Sequence, residues 1–179
     1  PRRAADDSYR IGRKKKVQEK AAGGAHDSSN RSIENHEKGI DQATIEVINE
    51  DTGEVLVTNT SGQVRMKLRL SSANRPGEVY IQPLEDLEDG MLWVPTLIDG
   101  RQGVSLNTSH PYYRKVYIPN LASGVTIQGM DSLLWALSVS ELKSTSESTR
   151  QHFDDLRYEI SRILRILVEH LPESKELDD

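Results

Sequence analysis

Ser109 and His110 stand side by side in the run Asn107-Thr108-Ser109-His110-Pro111-Tyr112-Tyr113, with Ser105 just upstream. A serine–histidine pair makes a nucleophile when an acid orients the ring and an oxyanion hole waits opposite. Neither is signalled here. The same residues read as a strand-to-helix junction, in which Asn107 and Thr108 supply capping bonds and Pro111 sets a helix start. The remaining histidines are His26, His36, His152 and His170. None forms an i, i+4 pair or a His-Glu-x-x-His motif, so no zinc-type spacing exists. Glu85, Asp86, Glu88 and Asp89 are neighbours in sequence only. Acid–base or cation chemistry needs them to converge in space, and a solvated acidic turn needs nothing more. With no cysteine in the chain, thiol nucleophiles, disulfides and thiolate metal sites are excluded. The loop Asp99-Gly100-Arg101-Gln102-Gly103 lacks the spacing of a phosphate-cradling loop and reads as a turn.

Two groups of cations suit phosphate contacts. One is Arg13, Lys14, Lys15 and Lys16, supported by Arg2, Arg3, Arg10 and Lys20. The other is Arg65, Lys67 and Arg69, which alternate along one strand. Either can bind nucleic acid in a salt-dependent way, or simply stay solvated. No aromatic residues interleave on that strand to stack bases.

These residues are carried by 179 positions, 35% hydrophobic and 28% charged, with net charge −5. Residues 1–40 are basic, at +4, and the remainder is acidic, at −9. Residues 1–42 hold little apolar material, so they read as a flexible basic arm or linker. No apolar run of about 18 residues crosses a membrane, and the cysteine-free composition fits the cytoplasm.

From residue 43 the pattern becomes that of a folded module. Residues 44–58 form a hairpin around Asp51-Thr52-Gly53. Val64, Met66, Leu68 and Leu70 alternate with Arg65, Lys67 and Arg69, which gives the clearest strand of the chain. Short strands are expected at 79–81, 92–95 and 103–107. Helices are expected at about 111–118, 126–143 and 147–171. The last spans roughly 37 Å at helical rise, with His152 and His170 at its solvated edge. Leu156, Ile160, Ile163 and Leu167 repeat at heptad-like steps, and Ile166 and Val168 widen the apolar surface. A helix with that breadth packs on its own sheet and on another subunit. The fold class is therefore α+β, with a small antiparallel sheet over 43–107, a C-terminal helical hairpin and the arm in front.

Three quoted runs carry a family likeness. They are Trp93-Val94-Pro95, the Asn107–Tyr113 run followed by Val116-Tyr117, and the segment from Met130 through Trp135 to Glu141. Over about residues 90–170 they resemble the C-terminal part of bacterial and phage ATPases of the GHKL superfamily, which includes gyrase, histidine kinases and MutL. The resemblance implies that the chain is the end of a longer protein. ATP and magnesium would bind only in an upstream domain, because the acidic helix and glycine-rich boxes of that site have no counterpart here. It implies a non-catalytic module with no cofactor of its own, which couples an ATPase domain to partners or joins two subunits. Asn107 and His110 would mark the sheet-to-helix junction, and Leu156, Ile160, Ile163 and Leu167 the assembly face. The reading from another class is a nucleic-acid-binding module that uses the arm and the Arg65/Lys67/Arg69 face.

Overall fold

Strand formation begins where β-branched residues alternate and glycine permits the turns. β1 (Thr44–Asn49) and β2 (Glu54–Asn59) pair antiparallel. Gly53 sits in their turn at φ +73°, and a Cβ there would lie 2.6 Å from the Leu68 carbonyl oxygen. Only glycine accepts both conditions. β3 (Gly62–Lys67) pairs with β2 and completes a three-stranded antiparallel sheet. The computed structural model describes residues 24–144 and 146–172.

The clean alternation over 63–70 does not belong to one sheet. It divides at Leu68, and β4 (Arg69–Ser71) continues into a second, mixed sheet. There β4 runs parallel to β6 (Trp93–Ile98), β6 runs antiparallel to β7 (Arg101–Asn107), and β5 (Ile81–Leu84) runs parallel to β7. The expected single antiparallel sheet is thus two sheets joined by a shared strand path. Alternation reports which face is buried, whereas sheet membership depends on distant partners. The strand expected at 79–81 lies instead at Ile81–Leu84 and includes Pro83. An edge strand tolerates that missing donor. The β6–β7 turn is the expected one: Asp99 (φ 48°) and Gly100 (φ 78°) both take left-handed backbone, which suits a two-residue hairpin.

α1 (Asp27–His36), α2 (Gly124–Leu142) and α3 (Glu147–Glu169) complete the α+β fold. The two C-terminal helices match expectation to within about two residues, and Ser146 accepts from the Thr149 amide to cap α3. The segment after His110 is not a regular α-helix. It is a π-helical turn, Tyr113–Tyr117, followed by a 3-10 turn, Ile118–Asn120. Among the described residues no helix is long and apolar enough to cross a membrane.

α1 falls inside the region that composition marks as an arm. It belongs to the body, because His26, Ser29, Asn30 and Ile33 are buried. Ile33 joins the main core with Tyr80, Trp93, Leu106, Tyr113 and Trp135. A second core between the three-stranded sheet and the end of α2 gathers Val55, Val57, Met66, Leu68, Leu97 and Leu142. Each such side chain contributes about 1.5–3 kcal/mol by leaving water. Residues 1–23, with Arg13 to Lys16, lie outside the described residues.

Candidate functional site

The strand-to-helix junction is built by side chains that read neighbouring backbone. Asn107 accepts from the Ser109 amide at 2.9 Å and donates to the Met91 carbonyl at 2.9 Å. Thr108 donates its amide and its hydroxyl to the Leu84 carbonyl. His110 is buried, at 1% exposure. Its Nδ1 accepts from the Tyr112 amide at 3.0 Å, which leaves the ring hydrogen on Nε2. That N–H donates to the Ser161 carbonyl on α3 at 2.9 Å. Ser161 Oγ in turn accepts from the Leu92 amide at 3.0 Å. Both ring nitrogens are therefore committed, and His110 has no atom left to activate Ser109 or Ser105. Burial lowers the His110 pKa, and Arg165 and Arg114 reinforce that direction. The Asn107–Tyr113 motif is a clasp that fixes α3 to the sheet.

A second cluster escapes any motif search. Asp131, fully buried on α2, accepts from His26 Nδ1 and from Ser29 Oγ, each at 2.6 Å. Its other oxygen accepts from the Tyr117 hydroxyl at 3.1 Å. The Tyr113 hydroxyl lies 3.0 Å from His26 Nε2, and the Tyr113 and Tyr117 rings stack at 4.9 Å. Burial, then Asp131, pushes both phenols well above the ordinary tyrosine range. They remain protonated donors. His26 and Asp131 are separated by 105 positions, so no local spacing announces the pair. The one sequence cue is a carboxylate inside an apolar helical run. All five side chains are sealed from solvent, so the cluster joins α1, α2 and the junction and is closed to a substrate.

The exposed carboxylates do not converge. Among the described residues no three His, Asp or Glu side chains gather in a way that could hold a metal ion. A groove of about 450 Å³ between α1 and α2 runs past His36, Trp135 and Lys143. His36 Nδ1 donates to the Ser32 carbonyl, and Lys143 pairs with Asp41 at 3.0 Å.

α3 presents a strip of exposed apolar side chains. Leu156 (51%), Ile163 (40%), Ile166 (50%) and Leu167 (63%) are exposed. Ile160 is not part of that strip, contrary to the heptad expectation. It packs with Leu164 against the main core. The helix turns 100° per residue, so Ile160 sits on the inward flank of the stripe while Ile163 faces outward. Four further polar contacts hold the helix in place. Arg165 donates to the Gly90 carbonyl at 3.0 Å. Lys115 reaches the Glu169 and Leu171 carbonyls at 2.7 and 3.2 Å. Arg157 forms a buried ion pair with Glu141. Burial pushes the Glu141 carboxyl up, and Arg157 pulls it back in part.

Arg65, Lys67 and Arg69 are exposed as expected, but their surface is mixed in charge. Arg65 lies 3.6 Å from Glu54, and Glu54 stands opposite Lys67 in the ladder. In comparisons with known proteins, no family model, no curated protein and no solved structure matches this chain. The GHKL likeness therefore rests on the quoted motifs alone.

Proposed function

We propose that the chain is a non-catalytic interaction module that pairs with a second copy through the outer strip of α3. The observation that supports this is Leu156, Ile163, Ile166 and Leu167 exposed on a helix whose inner face is already filled by Ile160, Leu164 and Val168. Apolar surface of this kind costs free energy in water and gains it when covered. The polar anchors at Ser161, Arg165, Lys115 and Arg157 hold the strip in one orientation, so little ordering entropy is lost on pairing.

In the ATPase context that the GHKL resemblance implies, such a module would join two subunits, and ATP and magnesium would bind upstream. The pairing proposal does not depend on that context. A cytoplasmic setting fits a chain without disulfides. The nucleic-acid reading has less support, because Glu54 and Glu46 share the strand face with Arg65 and Lys67.

Sedimentation equilibrium tests the pairing. The parent chain is expected to dimerise, and the variant with Ile163→Asp and Leu167→Asp to sediment as a monomer with unchanged circular dichroism. A parent that stays monomeric at all concentrations overturns the proposal.

A further inference from the structure

α2 lacks the charged face that a surface helix shows to water. Its two ionisable side chains, Asp131 and Glu141, are both buried. Its exposed positions hold Val125 (86%), Gly129, Ser132, Leu133 (62%), Ala136 and Ser140. That face points away from the sheet, because Trp135 on its inner side donates to the Gln102 carbonyl of β7 at 2.9 Å. The apolar strip of α3 points the same way. Ser161 turns inward to the Leu92 amide, and Leu156, Ile163 and Leu167 lie roughly 120–160° round the helix from it. The two outward faces adjoin. Arg157 and Glu141 bridge the helices. Met130 and Leu137, on the Leu133 side of α2, pack on the same core as Ile160 and Leu164.

Area shows that the α3 strip is only part of a contact. Leu156, Ile163, Ile166 and Leu167 are each about half exposed. At on the order of 100 Å² apiece they supply about half of the roughly 800 Å² per partner that a stable interface buries. We infer, resting on the pairing proposed above, that the second copy covers both C-terminal helices: the α3 strip of each copy lies on the outer face of α2 of the other. The contact is then two helix pairs stacked about a twofold axis that runs along the helices. Side-chain size favours this arrangement over α3 on α3. Two strips of Leu and Ile laid together would hold the layers apart where α2 meets α2, whose middle row is Gly129, Ala136 and Ser140. Large side chains on small ones keep one spacing across both contacts. Charge permits it as well. Glu159 and Arg162 beside the strip pair with each other at 2.7 Å, and α2 brings no exposed charge.

The chain has no cysteine, so single introduced thiols report the contact. About one and a half turns from the Arg157–Glu141 pair, Ala136 on α2 and Ile163 on α3 reach the same height. The twofold axis keeps that height between copies. Full chains carrying Ala136→Cys and Ile163→Cys are mixed, allowed to exchange subunits and oxidised. The expected result is a disulfide-linked dimer from the mixture and little from either variant alone. Leu133→Asp, at an exposed position, should weaken self-association about tenfold or more, with unfolding at low protein concentration unchanged. Ready linking of Ile163→Cys to itself overturns the inference and leaves the pairing standing, since α3 then meets α3. Full-strength association of Leu133→Asp overturns it in the same way, as does a mixture that fails to link while both variants still dimerise. A parent chain that stays monomeric removes the pairing itself and this inference with it.

Discussion

His110 Nε2–H donates to the carbonyl oxygen of Ser161, 2.9 Å away and 51 positions on in sequence. One neutral imidazole thus ties the end of β7 to the middle of α3, while its other nitrogen accepts from the Tyr112 amide. A protonated ring would turn that acceptor into a donor facing a donor. The consequence is a defined pH dependence. Burial sets the folded His110 pKa below its ordinary value of 6.5, so the unfolded chain binds the proton more readily. The stability from this group is complete above about pH 6.5 and falls as pH drops below it toward the folded pKa. Denaturant midpoints of the parent should decline from pH 7.5 to 5.0. His110→Gln should lose about 1–3 kcal/mol at pH 7.5, as buried groups lose partners. The parent-minus-variant difference should shrink as pH falls. A difference independent of pH would remove the titrating clasp.

Asp131 gathers three donors, two from the start of α1 and one from the π-helical turn, and Asn30 satisfies three backbone groups of Tyr80 and Ile81. Asp131→Ala should cost about 3–5 kcal/mol, the range for stripping one partner from a buried charged network. Asn30→Ala should cost about 1–3 kcal/mol. Asn30→Ala should also accelerate hydrogen exchange within α1 before the rest of the fold opens. Equal acceleration across α1 and β7 would show that α1 does not open separately.

Gly103 lies in β7 beneath the chain that leads into β5. A Cβ there would lie 2.7 Å from Ile98 Cδ1 and 2.9 Å from the carbonyl oxygens of Tyr80 and Val79. Backbone cannot yield as a flexible side chain can, so Gly103→Ala should destabilise by about 1–3 kcal/mol. Gly39→Ala, with nothing within 4 Å of its added carbon, should shift the melting temperature far less. Equal shifts would contradict the close packing of β7 against residues 79–80.

The same contrast between local and distant partners decides what could be read before folding. The Asp99-Gly100 turn, the β1–β2 hairpin and both C-terminal helices are written in neighbouring residues: left-handed turn positions, alternation, and three- and four-residue steps. α1 was hidden because its docking is polar. Ile33 is its one buried apolar residue, and His26, Ser29 and Asn30 find partners 50 to 105 positions away. The split at Leu68 was hidden because both sheets use one continuous alternation. At His110 the residue type suggested chemistry, but only the positions of Ser161 and Tyr112 show both nitrogens occupied.

Ile160 and Ile163 separate folding from assembly on a single helix. They are three positions apart and chemically identical, yet Ile160 packs on the main core and Ile163 is 40% exposed. Ile160→Asp sets a carboxylate against the main core at a half-buried position and should destabilise the monomer by about 1–3 kcal/mol. Ile163→Asp places the same carboxylate in water in the monomer, where surface changes stay within about 0.5 kcal/mol. In a dimer formed through the α3 strip, that carboxylate would be trapped between two apolar surfaces. Ile163→Asp should therefore abolish self-association while leaving unfolding at low protein concentration almost unchanged. Ile160→Asp should lower the unfolding midpoint at every concentration. If Ile163→Asp unfolds the chain as severely as Ile160→Asp does, the outer strip is serving the fold. If it neither unfolds the chain nor changes its sedimentation, the strip is no subunit contact.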